Sequence, residues 1–209
     1  SSHEPIYLGL ELEVVCKGEW RNGEGMAKVI KDVANAPIGD HMVAVHDGTT
    51  GSYGMEFVTV PASLAYHKTI LEKEFFSPER AFHKRVMATD ACGIHVHISK
   101  NAMNAADLRK LIVFINAQTN ATFINAMAGR TENKHCNRFK IPSPSFKGKD
   151  IAAEIVKRAC KDGSLRKGLH FQRVQERQGQ RGDRYEMMHY DAVNIQNAHT
   201  VEIRIFKSS

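Results

Sequence analysis

Four short segments of this chain alternate apolar residues with acidic or imidazole residues, and this alternation limits the folds open to it. They cover residues 8–14, 54–58, 94–98 and 201–205. Side chains two residues apart on a β-strand share a face and lie about 7 Å from each other. One face of each segment is therefore aliphatic, and the other carries glutamate, histidine or arginine. The pattern predicts an antiparallel sheet that packs one face on a hydrophobic core.

The polar faces of these segments carry an unusual set of side chains. The set consists of Glu11, Glu13, Glu56, His95, His97, Glu202 and Arg204. Each piece alone is typical of a solvated strand face or a surface ion pair, and two histidines on a strand also occur in zinc sites. A Glu-x-Glu pair, however, places like charges side by side, which is unfavourable unless a cation lies between them. Carboxylates suit Mg²⁺ or Mn²⁺, and an imidazole can complete the ligand set. Together the segments predict a shared metal or phosphate site.

Strands and helices are interspersed along the chain. Alternation predicts strands over residues 6–15, 41–46, 55–60, 93–99 and 200–206, with weaker candidates at 170–175 and 185–195. The clearest helix begins after Asn104 as cap and continues to a stop at Gly129. A second begins at Ser77 with Pro78 in its first turn. Further helices are predicted over residues 24–35, 62–75 and 150–162.

Composition is typical of one globular domain without a membrane span. The chain has 209 residues, 42% hydrophobic and 25% charged, and its formal charge of +6 favours anionic partners such as nucleotides, phosphates or nucleic acid. No apolar run reaches the length of about 18 residues that a membrane helix needs. The four cysteines form no C-x-x-C pair, which favours reduced thiols in a cytoplasmic protein. Residues 130–149 form a basic loop, for which a solvated connection is favoured over a phosphate-binding role.

Five stretches, in this order, resemble the carboxylate–amine ligase superfamily. They are residues 9–13, Asp47 with 54–61, residues 92–99, Arg184-Tyr185 with Val193-Asn194, and residues 200–206. The most specific are Gly-x-His-x-His-x-Ser and Thr-Val-Glu-x-Arg-x-Phe. The superfamily includes glutamine synthetase, glutamate–cysteine ligase and the amidoligases common in phage and bacterial genomes, and the chain is most similar to these small amidoligases.

The resemblance implies an α+β fold and an ATP-dependent reaction. The expected fold is a glutamine-synthetase-like catalytic domain over residues 1–209, a curved antiparallel sheet forming a half-barrel with helices on its outer face. Amidoligases usually continue with another helical segment, which is expected after Ser209 or from a partner. The implied activity joins a carboxylate to an amine through an acyl phosphate, with Mg-ATP or Mn-ATP.

The resemblance also implies roles for individual residues. Metal ligands would be Glu11 near the nucleotide phosphates, Glu13 and Glu56 near the carboxylate substrate, and Glu202 at the nucleotide side. His95 would be a further metal ligand. His97 would contact phosphate, and Arg204 would steady the transferred phosphoryl group, which makes these two the catalytic pair. Cofactor binding would fall to His97, Arg184, Asn194 and Arg204. The implied substrates are a small-molecule or peptide carboxylate and an amine.

Two other functions fit the same residues. A metal-dependent hydrolase, either a phosphatase or a nuclease, could use the acids and histidines to activate water. A non-enzymatic structural or nucleic-acid-binding module could keep the fold without the chemistry. Nucleic acid is the less favoured partner, because the chain has no basic stripe interleaved with aromatic residues.

Overall fold

The computed structural model describes residues 5–77, 79–131, 138, 160–161, 164–165, 192–195 and 197–208. The strands are β1 (Leu8–Cys16), β2 (Met42–His46), β3 (Gly54–Thr59), β4 (Val86–Met87), β5 (Gly93–Ser99), β6 (Cys160–Lys161), β7 (Ser164–Leu165), β8 (Val193–Asn194) and β9 (Thr200–Lys207). The α-helices are α1 (Gly23–Ala34), α2 (Leu64–Ile70), α3 (Ala105–Asn116) and α4 (Ala121–Ala128). Contacts group them into a first body, Pro5–His97 with residues 206–208, and a second body, Ile98–Ile205.

The first body is built on an antiparallel sheet in the order β2-β3-β1-β5, with β4 paired to the end of β1. The register places Glu13 opposite Glu56, and Val45 opposite Glu56 on the other side of β3. Among the described residues β2 pairs only with β3, so the sheet has an open edge there and is not a closed barrel. The predicted combination of helices with an antiparallel sheet is therefore confirmed, while its half-barrel curvature stays a prediction.

Period-two alternation decides which face of this sheet becomes the core. Leu12 and Val14 of β1, Met55 and Phe57 of β3, and Met42 of β2 all lie on one face and are buried. Two residues of α1 and two aromatic residues beyond α2 pack on them; they are Val29, Val33, Phe75 and Phe82. Covering this face with helices leaves the glutamates and histidines on the opposite face.

The second body combines α3 and α4 with two small antiparallel pairs. Helix α3 begins with a capping box in which Asn104 and Asp107 each accept a hydrogen bond from the other's backbone N–H. Strand β8 pairs with β9, and Asn194 lies opposite Glu202. Strand β9 is buried on both faces, since Val201, Ile203, Glu202 and Arg204 are all below a tenth exposed.

The five strong strand predictions are confirmed with shifts of one or two residues at their ends. The single helix predicted from Asn104 to Gly129 is wrong at Ala117, where the backbone is extended with ψ of 132°. Asn116 and Asn120 donate side-chain hydrogen bonds to the carbonyls of Ile112 and Phe114, and such bonds compete with helix propagation. Gly129 does end α4, in the left-handed conformation.

Two other helix predictions are corrected. After Ser77 only a short 3-10 helix forms at Ala81–Lys84, because Arg80 is extended with ψ of 126° and its N–H bonds back to Ser77. Cys160–Lys161, placed at the end of a helix by the sequence, pairs as a strand with Ser164–Leu165. The rest of that helix and of the 130–149 loop, the strand at 170–175 and most of the strand at 185–195 lie outside the described residues. None of the helices in the described ranges is long and apolar enough to cross a bilayer.

Two glycines at the start of α1 give a matched test of this packing. A Cβ at Gly25 would lie 2.1 Å from the carbonyl oxygen of Trp20, whereas one at Gly23 would meet nothing within 4 Å. Gly25→Ala should therefore lower the free energy of unfolding by about 1–3 kcal/mol, despite its better helix propensity. Gly23→Ala should raise it by about 0.5 kcal/mol. Urea denaturation measures both, and equal shifts of the two midpoints would contradict the packing of α1.

Candidate functional site

Carboxylates from two strands meet an imidazole from a third on the open face of the first body's sheet. Glu11 and Glu13 lie on β1, Glu56 on β3 and His95 on β5. Glu11, Glu56 and His95 each offer one ligand atom, and these atoms lie within 4.8 Å of one another. Two carboxylate oxygens and one imidazole nitrogen form a donor set that Mg²⁺ or Mn²⁺ would accept.

The two histidines of β5 face the two glutamates of β1. His95 lies between them, with Nδ1 3.1 Å from Glu11 Oε2 and Nε2 3.4 Å from Glu13 Oε1. His97 Nε2 is 2.9 Å from Glu11 Oε1. A Cβ built at Gly9 would lie 3.5 Å from that of His97, and the N–H of Gly93 bonds to Glu13. Strand β5 therefore runs antiparallel to β1. This antiparallel arrangement gives each histidine a carboxylate partner.

Glu13 is fixed by the backbone as well. Its Oε2 accepts a hydrogen bond of 2.6 Å from the N–H of Gly93, and its side chain is 9% exposed. A charge-assisted bond to a backbone donor holds a carboxylate in one orientation. Glu13 in this structure therefore orients the ring of His95, while its predicted role as a metal ligand stays a prediction.

Two glutamates of the cluster, Glu11 and Glu56, have pKa values that are shifted in opposite directions. Burial raises the pKa of Glu11, but hydrogen bonds and charges from His95 and His97 outweigh it and hold that pKa well below the usual range. Burial raises the pKa of Glu56 to about 8, with further contributions from the carboxylates of Glu11, Asp47 and Glu13. Near neutral pH Glu56 therefore keeps its proton and shares it with Glu11. Retention of this proton reports the crowding of negative charge that a cation would relieve.

The second body holds a polar cluster around Glu202. Its Oε2 accepts hydrogen bonds from the side chains of Asn194 at 2.8 Å and Asn197 at 3.0 Å, and its Oε1 contacts the guanidinium of Arg204. Glu202 and Arg204 are 2% and 8% exposed. Among the described residues, Nε of Arg204 has no hydrogen-bond partner. Arg204 therefore has a buried donor available for an anionic group.

A buried lysine holds the turn that supplies Asn197. Lys100 Nζ donates to the carbonyl of Ile195 at 2.8 Å and also to that of Asn197, and its backbone N–H bonds to His199. Burial lowers the pKa of this lysine. The contacts fix the segment before β9 and aim the Asn197 amide at Glu202.

The structure brings together five predicted site residues in the first body, Glu11, Glu13, Glu56, His95 and His97. It describes three more in the second body, Glu202, Arg204 and Asn194, and Arg184 lies outside the described residues. Asn194 is fully buried on Glu202, and its predicted contact with nucleotide stays a prediction. The sequence analysis missed Asn197, Lys100 and the N–H of Gly93. The available signal for Asn197 was its place between Asn194 and Glu202 in a polar turn.

The raised pKa of Glu56 predicts how metal binding should depend on pH. An ion must displace the Glu56 proton below about pH 8, so affinity for Mn²⁺ should rise about tenfold per pH unit from pH 6 to 8 and then level off. Calorimetry in buffers of different ionisation enthalpy counts the protons released, and about one per ion is expected at pH 7. Glu56→Gln should abolish the release, and Glu24→Gln, an exposed position on α1, should not. A flat profile in the parent protein would contradict the assignment.

Comparison with known proteins identifies a family for this chain. The chain matches the model of a family described as "putative amidoligase enzyme" over residues 17–209. The match begins after Glu11 and Glu13, and it includes Glu56, both histidines of β5 and all of β9. No curated protein matches the chain. A match over most of the sequence shows that the chain belongs to the amidoligase family.

Proposed function

We propose that this amidoligase is an ATP-dependent carboxylate–amine ligase that forms an amide bond through an acyl phosphate, with Mg²⁺ or Mn²⁺ bound in the first body. One observation carries the proposal: Glu11, Glu56 and His95 converge on one sheet face in a chain of the amidoligase family. The superfamily placement with glutamine synthetase and a cytoplasmic location, where ATP is available, belong to the same proposal.

The donor set fits a hard divalent cation. Glu11 is ionised over the whole physiological range because its pKa is depressed, so one full negative charge is always present. Glu56 would add a second when it releases its proton, and His95 is held between Glu11 and Glu13. Carboxylate oxygens with one imidazole favour Mg²⁺ or Mn²⁺ over the thiolate-rich sets that soft metals prefer. A bound cation would neutralise phosphate oxygens that otherwise repel a carboxylate.

The proposed reaction has two steps with defined products. A carboxylate oxygen of the substrate attacks the γ-phosphorus of ATP, which forms an acyl phosphate, a mixed carboxylic–phosphoric anhydride, and releases ADP. The amine then attacks the acyl carbon, loses a proton and expels phosphate, which leaves the amide. Activation in this way replaces a poor leaving group by phosphate, which is the reason that ATP is consumed.

The chain's own residues supply orientation and charge. Glu13 and the N–H of Gly93 fix the ring of His95, and Glu11 does the same for His97. Arg204 carries a buried Nε donor that no other described residue engages, and such a donor can stabilise a phosphoryl group in transfer. Three donors surround Glu202 and keep its carboxylate in place. Its role as a nucleotide-side ligand belongs to this proposal.

Nucleotide binding should depend on both the cation and Glu11. In calorimetric titration at pH 8, the parent protein should bind ATP with Mg²⁺ present and at least tenfold more weakly without it, because a cation held by Glu11 would neutralise the phosphate charge. Glu11→Gln keeps the shape but removes the charge, and it should lower Mg-ATP affinity at least tenfold. Glu24→Gln should bind like the parent.

Phosphate release separates the ligase from the other functions. Release that needs a carboxylate and an amine together, assayed over a panel of small carboxylates and short peptides with hydroxylamine as a general amine, supports the ligase. Phosphate release that does not depend on the amine would indicate the hydrolase. A protein that binds neither Mg-ATP nor Mn²⁺ would indicate the non-enzymatic structural or nucleic-acid-binding module.

Removal of the Arg204 guanidinium should slow turnover more than it weakens binding. Arg204→Ala should lower kcat about 100-fold, because the lost donor acts on charge that develops in the transition state. Mg-ATP affinity should change by less than threefold, and Arg109→Ala, an exposed position on α3, should leave both unchanged. Circular dichroism must show that the variant is folded, since Glu202 loses a partner. An equal loss in binding and turnover would assign Arg204 to ground-state binding.

A further inference from the structure

The open face of the first body's sheet is half ionic and half apolar. Strands β1 and β5 carry Glu11, Glu13 and the two histidines, and Glu56 lies on β3. The rest of this face on β2 and β3 carries Val43, Val45 and Val58. Val60 continues β3 on this face, since its N–H bonds to the carbonyl of His41. These four residues, Val43, Val45, Val58 and Val60, are called the valine patch below.

The valine patch is not part of the hydrophobic core. Val43, Val45 and Val60 are 55%, 40% and 42% exposed, whereas Met42 and Ala44 on the opposite face of β2 are 1% and 6% exposed. The solvated face of an antiparallel sheet ordinarily carries polar residues. These three exposed valines and the half-buried Val58 form an apolar surface of the kind that contacts a ligand.

The patch adjoins the carboxylate cluster with no gap. Val45 is the register partner of Glu56, and Val58 is the register partner of both Val43 and Glu11. Side chains directly opposite each other on paired strands have Cβ atoms about 5 Å apart. A small molecule with an ionic group at Glu11, Glu56 and His95 that extends toward β2 therefore has its next few bonds over the valines.

We infer that the substrate bound at the carboxylate cluster carries an aliphatic or aromatic group and that the valine patch is the subsite for it. The inference deepens the proposed function and rests on it. An apolar group would displace water from the valines, whereas a charged group would be desolvated there without a partner from the patch. The patch thus selects among carboxylates and amines that share the same reacting group.

A series of alkyl hydroxamates tests this without knowledge of the substrate. Hydroxamates chelate Mn²⁺ through two hard oxygens, so each member should bind the Mn²⁺-loaded protein in the same way and differ only in its tail. Calorimetry should show affinity rising two- to threefold per methylene from acetohydroxamate to hexanohydroxamate, as expected for partial burial of each group.

A double variant assigns that gain to the patch. Val43→Thr with Val45→Thr keeps side-chain shape and strand propensity but adds hydroxyls, so the gain per methylene should fall below 1.5-fold while acetohydroxamate binds as before. Val113→Thr, a matched change at a 37% exposed position on α3, should keep the parent's series. Thermal unfolding checks that all variants are folded.

The outcomes separate this inference from the proposed function. Mn²⁺ and acetohydroxamate binding without chain-length dependence would overturn the subsite and leave the metal site intact. A gain per methylene that survives in the double variant would also overturn it, since the tail would then lie elsewhere. A protein that binds no Mn²⁺ would overturn the proposed function and the inference together.

Discussion

Repulsion among the carboxylates of one sheet face is the constraint on which the rest of the site depends. Glu13 and Glu56 are register partners, and Glu11 lies two residues from Glu13 on the same face of β1. The protein without a cation meets this crowding in two ways. Histidines of β5 stabilise Glu11, and a proton remains on Glu56, whose pKa is about 8. A divalent cation bound as proposed would replace the proton and give each carboxylate a stronger partner.

Such crowding is tolerated only because the opposite face of the sheet holds the strands in register. Leu12, Val14, Met55 and Phe57 are buried under α1 and the aromatic residues beyond α2. A slip of one residue would exchange the two faces of a strand and bury its glutamates, which makes any alternative pairing costly. The stabilising interactions are therefore on one face and the polar cluster on the other. Because both sets of side chains share one backbone, packing of the apolar face also fixes the positions of the polar residues. The bond from Gly93 to Glu13 is one example.

Alternation in the sequence was sufficient to predict the strands and to place Glu11, Glu13, Glu56, His95 and His97 on like faces, because a period of two needs no knowledge of distant contacts. It could not predict the break at Ala117, which depends on side-chain hydrogen bonds to the carbonyls of Ile112 and Phe114. Nor could it predict the 3-10 helix at Ala81–Lys84, which follows the extended backbone of Arg80. The sequence also did not predict that Glu202 is buried and accepts hydrogen bonds from both Asn194 and Asn197. This arrangement arises from a turn fixed by Lys100, which is nearly 100 residues away from it in sequence. Local pattern predicts faces, and long-range hydrogen bonds decide which polar groups of a face are buried.

The same register that gathers the charges also sets what lies beside them. The residue opposite Glu56 on β2 is Val45, and the residue opposite Glu11 on β3 is Val58, so the ionic and apolar halves of the face meet along β3. This boundary is a consequence of strand order β2-β3-β1-β5 and not of any single residue. A ligand that satisfies only the charges leaves the valines in water, and one that satisfies only the valines leaves Glu56 protonated. Full use of the face therefore requires one molecule with a hard ionic end and an apolar body that extends across β3 toward β2.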